Sequence, residues 1–322
     1  MAHTDTTSQP LAAIVTPVYN GAEFLEETMA CVQAQTYPNL VHVILDNAST
    51  DATPEIIERF RNQRVPLIVY RNEELLDQAD NFNKACTLAP EDAKYIRIIC
   101  ADDLMTPDFM EKTIALAEQD PEILLVCTNI SKNDVPMDMM WPDDVDVMEG
   151  KEVIRRFLRG EIGFFGVHML MRRSIMDWRP VMFDTGMLAR DVDIVLAVLM
   201  HGRFGMVHEQ LGWVREHEGT VTSQVMRKKN THFGDFLTML YRYGPEVFSP
   251  AEFRAVRTRF ESYYLRKIRR WRIDHGDETV QHHIESFSHV RGPAKISDWA
   301  NAAFDTVMIR AGLRQPWTGW PN

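Results

Sequence analysis

Apolar runs of strand length alternate with stretches of helical spacing over the first two-thirds of the chain. "LAAIVTPVY" (11–19) is continuously apolar and is broken by Asn20-Gly21. "AEFLEETMACVQAQ" then places its apolar residues at helical intervals. The unit recurs, with "LVHVILD" as a strand, "NASTDATP" as a polar turn and "EIIERFRN" as a helix. "PLIVY", a helix through "DQADNFNKACTLA", the strand "KYIRIICA", a helix from Pro107 to about Ala117 and the strand "EILLVCTNI" follow. Residues 131–146 are polar, acidic and rich in Met and Pro, and predict a surface loop. Beyond them the pattern gives a helix near 151–159, a Gly-punctuated strand "GFFGVHMLM", a helix "ARDVDIVLAVLMHG" and two short strands around "RFGMVH" and "QLGWVREH".

Strands that are continuously apolar and alternate with helices predict a mostly parallel sheet, Rossmann-like, with helices on both faces. Ligands in such sheets bind beyond the carboxyl ends of the strands. Thr16, Pro17, Val18, Tyr19 and Asn20, then Asp46 and Asn47, then Asp102 and Asp103 stand at those ends and should face one crevice. Past about Ser223 the texture changes to long, basic, amphipathic helices. The reading is therefore a disordered lead (1–10), an α/β domain (11–222) and a helical C-terminal region (223–322).

The length of 322 residues fits one large domain with an appendage, or two domains. A net charge of −11 argues against a general nucleic-acid binder, because nothing global offsets phosphate repulsion. "MAHTDTTSQP" lacks the basic and apolar blocks of a signal peptide. No apolar run approaches the ~20 residues that cross a bilayer. Cys31, Cys86, Cys100 and Cys127 are widely spaced within apolar segments, as free thiols of a reducing compartment would be. These features predict a soluble cytoplasmic protein.

The crevice has no G-x-G-x-x-G after its first strand, and no G-x-x-x-x-G-K-S/T occurs anywhere. It offers carboxylates instead. A phosphate ligand at a net-negative site needs a bridging cation, and adjacent aspartates suit Mg²⁺ or Mn²⁺. An Asp pair before a helix also serves as a helix start, although Thr106, directly before Pro107, is the better cap. Asp191 and Asp193 open a second helix and read either as helix-start acids or as a general base. His217 lies between two acids in "WVREHEGTVT" and reads as a surface residue or a ligand.

Together "IVTPVYNGAEFLEETMACVQAQTYPN", "VILDNASTDAT", "YIRIICADD" with "PDF", "RDVDI" and "VREHEGTVT" resemble glycosyltransferase family 2 in order and spacing, over about residues 11–222. The resemblance implies the GT-A fold and an inverting transferase. It assigns Thr16 and Tyr19, with Pro17 and Asn20 of the same motif, to the donor nucleoside. Asp46 would accept N3–H of a pyrimidine, which implies a UDP- or dTDP-sugar. Asp102 would contact the ribose or donor, Asp103 would ligate Mn²⁺ or Mg²⁺, Asp191 matches the catalytic base, and His217 reaches the metal or diphosphate. The acceptor implied is a glycan or lipid-linked hydroxyl, as in bacterial-type polysaccharide synthesis. Many members read "DDGST" where this chain has "DNAST", and Arg190 precedes Asp191 where an acid is common. Arg190 is placed to pair with Asp191 or to meet an anionic acceptor. Asn81, Asn83 and Lys84 of "DNFNKA" stand near where an Arg often contacts the donor. A sugar-nucleotide nucleotidyltransferase and a non-catalytic nucleotide-sugar binder are the alternative readings. The former usually carries a basic loop after its first strand, and "TPVYNGAEF" has no basic residue.

From Arg227 to Arg272 there are twelve Lys/Arg against four Asp/Glu. Phe253, Val256, Phe260, Tyr264, Ile268 and Trp271 form an apolar stripe at helical spacing. Two readings stay open: a helix packed on the catalytic domain with a solvated basic face, or docking at an anionic inner-membrane surface near a lipid-linked acceptor. "KIRRW" (267–271) resembles the Q-x-x-R-W of processive synthases but has Lys267 in place of Gln, so single-sugar transfer is expected.

Overall fold

β1 (Ala12–Val18), β2 (Leu40–Asp46) and β4 (Tyr95–Ile98) are buried along their whole length, as strands covered on both faces must be. With β3 (Leu67–Arg71) they form a parallel block in a sheet that, among the described residues, has ten strands in the order β3-β2-β1-β4-β9-β6-β10-β5 and is mixed rather than mostly parallel. β9 (Met169–Arg172) runs antiparallel between β4 and β6 (Ile123–Lys132), and β10 (Arg203–Val214) returns parallel to β6. The computed structural model describes residues 9–164, 166, 168–217, 220 and 230–321.

Helices fall where the apolar spacing predicts them: α1 (Leu25–Gln33), α2 (Thr53–Arg59), α3 (Gln78–Thr87), α4 (Phe109–Ala117), α5 (Gly150–Arg159) and α7 (Arg190–Leu199); the one-turn α6 (Ile175–Trp178) is not among the predicted elements. One buried cluster joins Ile14, Tyr95, Phe109, Met110 and Leu211; another joins Val18, Leu25, Met29, Ile44 and Ile57. These clusters tie α1, α2 and α4 to the strands that carry the site.

Several expectations are corrected. β5 (Leu104–Met105) is a two-residue strand paired with β10, too short to leave a pattern. α4 starts at Phe109 with Asp108 at the cap position, so Thr106 does not cap it. The two short strands expected near "RFGMVH" and "QLGWVREH" are one bulged strand, β10. The 131–146 stretch is not all surface: it holds β7 (Val135–Pro136), and Met139 and Trp141 are buried, the Trp141 ring centroid lying 5.2 Å from that of Phe204. β8 (Val147–Glu149) then pairs with β10.

Contacts divide the chain into two units, one running to Gly150 and adding Phe164–Thr185 and Arg190–Glu216, the other comprising Lys151–Gly163, Gly186–Ala189 and His217–Asn322. The boundary expected near Ser223 lies outside the described residues. The second unit takes the body of α5 together with α8 (His232–Val247), α9 (Pro250–Asp274), α10 (Asp277–Arg291) and α11 (Ile296–Arg310). Within it Arg155 Nε donates to the Val247 carbonyl at 2.7 Å, and α9 opens on a Ser249–Glu252 capping box. Phe260, Tyr264, Ile268 and Trp271 of the predicted stripe are buried, with Phe236–Phe260 and Phe233–Trp271 centroids 4.4 and 4.9 Å apart. Lys267 of "KIRRW" lies over the Phe233 and Tyr263 rings. The stripe from Phe260 to Trp271 is thus core, and α9 keeps an exposed basic face. Among the described residues no helix is long and apolar enough to cross a membrane.

One core residue carries a pH dependence. His42 of β2 is wholly buried, its Nε2 2.9 Å from Thr16 Oγ1, and burial lowers its pKa from 6.5 to about 3. The unfolded chain takes up a proton there near pH 6.5 and the folded chain does not until about pH 3. Stability present above pH 6.5 therefore falls as pH drops through that window. Urea denaturation at pH 5.0 and 7.5 should show His42 alone costing about 2 kcal/mol at the lower pH. His42→Leu should remove that increment.

Candidate active site

The ends of β1, β2 and β3 lie in one register, Val18 beside Asp46 and Asp46 beside Arg71. Neighbouring parallel strands in register point such side chains to the same side, so Arg71 pairs with the Asp46 carboxylate and donates through Nη2 to the Ser49 carbonyl at 2.8 Å. Asp46 Oδ1 also accepts from Ser49 N–H at 2.9 Å. The "DNASTDAT" turn is built to hold the loop after β1. Ser49 Oγ, Thr53 Oγ1 and Asp51 Oδ2 accept from the backbone N–H of Asn20, Gly21 and Ala22 at 2.9, 2.8 and 3.0 Å. Asn20 accepts Thr50 N–H in return at 2.8 Å. Asn20 and Ala48 both sit at positive φ, 48° and 58°. Ala48 is strained there relative to the glycine of the "DDGST" pattern.

Asn47, the departure from that pattern, belongs to a buried polar network. Asn72 Nδ2 donates to Asn47 Oδ1 at 2.7 Å and to Asn81 Oδ1 at 3.0 Å, and Asn72 Oδ1 accepts from Lys84 Nζ at 2.7 Å. Asn81 and Lys84, expected at the donor, converge on Asn72. Asn83 is held by Phe183, whose backbone exchanges hydrogen bonds of 2.9 and 2.8 Å with its amide. Removing Asn72 takes the donor from buried Asn81 Oδ1, whereas Asn47 Oδ1 keeps the Leu76 N–H and Lys84 is exposed. Asn72→Ala should therefore cost about 1–3 kcal/mol in a denaturant titration. Asn72→Asp keeps the Lys84 acceptor but turns a carboxylate oxygen toward the Asn47 and Asn81 oxygens, and should cost at least as much.

The Asp pair occupies the turn after β4. Thr28, buried on α1, places Oγ1 2.9 and 3.0 Å from the carbonyls of Ala101 and Asp103. A Cβ on Gly21 would meet Ala101 Cβ at 3.4 Å, so the loops after β1, β2 and β4 adjoin. Cys100 Sγ and one oxygen from each of Asp102 and Asp103 lie within 4.8 Å of one another. Two hard carboxylates of a half-buried and a buried aspartate fit Mg²⁺ or Mn²⁺ with its remaining ligands from a diphosphate. Burial first, then the Asp103 and Asp102 charges, push the Cys100 thiol well up, so it stays protonated at neutral pH.

Asp103 is the anchored member. Its Oδ2 lies 3.0 Å from His168 Nε2 and its Oδ1 accepts from Arg215 N–H at 3.2 Å. His168 Nδ1 in turn is 3.1 Å from Nη2 of the wholly buried Arg97, whose guanidinium lies 4.7 Å from the Phe109 ring centroid. Burial lowers the Arg97 pKa to about 10, against the opposing pull of Asp103, and leaves it charged at neutral pH.

Asp191 is half-buried in the first turn of α7. A Cβ on Gly166 would stand 2.1 Å from the Asp191 carbonyl oxygen, so the chain at Gly166 seats directly against the Asp191 backbone. His168 is two residues further on, and two residues span at most about 7 Å. Asp191 and Asp103 therefore flank one short segment. Asp193 is fully buried, 3.4 Å from Arg179 Nη2, and Arg190 Nη1 lies 3.8 Å from Asp77. Thr16 is buried against His42 and Pro17 is buried within β1, while Tyr19 is 48% exposed beyond the strand. His217 belongs to the second unit, where its carbonyl accepts from Thr220 N–H at 3.1 Å. Sequence reasoning missed Arg71, Asn72, Arg97 and His168. Of these only Arg71, a charge ending the "LIVY" run, left a signal.

An open α/β sheet with carboxylates, and no glycine fingerprint, at its strand ends is not the pattern of a dinucleotide-binding site. The family model for glycosyl transferase family 2 matches residues 13–178, and the chain belongs to that family. It is 30% identical over 109 residues to a protein of Bacillus subtilis named putative teichuronic acid biosynthesis glycosyltransferase TuaG, spanning 34% of this chain and 42% of that one. Abequosyltransferase RfbV of Salmonella typhimurium is 38% identical over 101 residues, 30% of each chain. The chain thus spans less than half the length of these curated relatives. Among solved structures, S. aureus TarS 1-349 in complex with UDP-GlcNAc gives a TM-score of 0.62 at 16% identity, covering 92% of this chain and 81% of that one. Mannosyltransferase PcManGT from Pyrobaculum calidifontis, in complex with GDP-Man and Mn²⁺, gives 0.57 at 19% identity, covering 97% and 83%. These likenesses show the GT-A fold.

Proposed function

We propose that the chain is an inverting, metal-dependent glycosyltransferase that moves a single sugar from a UDP- or dTDP-linked donor to a hydroxyl of a glycan or lipid-linked acceptor. The observation that carries the proposal is the Cys100, Asp102 and Asp103 cluster at the carboxyl end of β4, beside the strand-end loops that would hold a nucleotide. The UDP-GlcNAc of one neighbour supports such a donor, and the Mn²⁺ of another, which holds GDP-Man, supports such an ion. The relative named for teichuronic acid biosynthesis supports a glycan acceptor.

In this reading Asp46 accepts N3–H of the pyrimidine and Arg71 turns a guanidinium N–H to the adjacent carbonyl, a donor–acceptor pair matched to uracil or thymine. Tyr19 lies over the nucleoside. Thr16, Pro17 and Asn20 fix the strand end and loop beneath it, and Asn81 and Lys84 act through Asn72. Asp102 contacts the ribose or the donor and, with Asp103, holds a divalent cation. That ion, when bound, stabilises negative charge on the diphosphate. His217 keeps the role the sequence motif implies, as a ligand of the metal or diphosphate. Asp191 orients the acceptor hydroxyl and takes its proton. The acceptor oxygen forms its bond to the anomeric carbon from the face opposite the diphosphate. The bond to the diphosphate oxygen breaks with its electron pair, and the configuration inverts. A lipid-linked acceptor would bring the chain to an anionic surface through the basic face of α9.

Water serves as a slow surrogate acceptor, so the stereochemistry is testable without the natural one. With a panel of α-linked UDP- and dTDP-hexoses, proton NMR should show the β-hexose released first and mutarotation following. Initial release of the α-hexose would refute inversion.

A further inference from the structure

Arg97 and His168 are buried, polar and outside the chemistry above. Arginine is a donor only, so the His168 Nδ1 that faces Arg97 Nη2 at 3.1 Å must accept. The ring proton then sits on Nε2, which donates to Asp103 Oδ2 at 3.0 Å. The tautomer is fixed by connectivity. Asp103 thereby accepts on both oxygens, from His168 and from Arg215 N–H, and the Cys100 thiol donates to the same carboxylate. Three donors on about four lone-pair sites leave the carboxylate a free lone pair for a cation.

We infer that Arg97 and His168 are positioning residues: Arg97 fixes the His168 tautomer, and His168 holds the Asp103 carboxylate in the orientation that binds the divalent ion. The inference rests on the reading of Asp103 as a metal ligand. Partners one step removed from a metal typically carry 10–100-fold in its affinity. A buried charge also explains why the arrangement is costly without all three members: Arg97 is wholly buried, and the carboxylate that balances it stands one imidazole away.

The test uses the full chain and Mn²⁺, with and without UDP, read by electron paramagnetic resonance, with circular dichroism reporting the folded state. His168→Leu should weaken Mn²⁺ binding in the presence of UDP by about 10-fold or more. His168→Gln offers an oxygen to Arg97 and an N–H to Asp103, and should restore affinity to within about threefold. A purely structural His168 would not give this rescue. If His168→Leu does not fold, Gly212→Ala replaces it, because its methyl would lie 3.3 Å from His168 Nδ1 while both hydrogen-bonding groups remain. It should weaken Mn²⁺ binding by about threefold. Wild-type Mn²⁺ affinity in a folded His168→Leu or in Gly212→Ala would overturn the inference alone. A wild-type chain whose UDP binding ignores Mn²⁺ would overturn the metal reading of Asp103, and the inference with it.

Discussion

Asp191→Asn is expected to lower kcat for sugar transfer by about 10³-fold while leaving the affinity for the nucleotide donor within about threefold. The amide keeps the shape of the carboxylate and so keeps the seat against Gly166. It cannot take a proton from the acceptor. A general base acts only in the chemical step, so the loss belongs in kcat and not in donor binding. Steady-state kinetics together with a donor titration separate the two. Near-wild-type kcat would remove Asp191 from the mechanism, and a matching loss of donor affinity would make it a binding residue.

Asp103→Asn is expected to do the reverse, weakening Mn²⁺-dependent UDP binding by about 100-fold or more, since a ligand should matter at least as much as its supports. The buried side chain keeps its size. Its oxygen can still accept from His168, but its amide nitrogen then meets the N–H of Arg215. The Arg97 charge also loses its counterpart, so a melting temperature lower by several degrees should accompany the loss of metal binding. Asp103→Ala would strand the His168 N–H as well and should be less stable than Asp103→Asn. A calorimetric titration of UDP into either variant, with and without Mn²⁺, gives the answer. Retained metal-dependent binding would move the cation to Asp102 or elsewhere.

What the sequence made legible follows from where the signal is local. β2 begins and ends where "LVHVILD" does, because a strand buried on both faces is a bounded apolar run. The carboxyl ends of β1, β2 and β4 followed from the same runs, and with them Asp46 and the Asp102–Asp103 turn. Partnership is not local. His168 meets Asp103 from 65 positions away, and a single histidine in "GVHML" differs from any core histidine only through its partners. Asn72 reads as a polar residue ending a strand, and only the folded chain reveals that Asn47, Asn81 and Lys84 converge on it. Thr16 shows the opposite failure. Its place near a strand end suggested a crevice, but its hydroxyl faces His42, on the neighbouring strand. In α9 the stripe was plain from spacing, whereas its burial against Phe233 and Phe236 of α8 was not.

The central claim, a pyrimidine-nucleotide donor held through a divalent cation, is most directly tested by isothermal titration calorimetry of the wild-type chain with UDP, dTDP and GDP, each with and without Mn²⁺. The expected result is binding of UDP or dTDP that is at least about tenfold tighter with Mn²⁺, with GDP clearly weaker. Equal affinity for GDP, or binding of UDP indifferent to Mn²⁺, would contradict it.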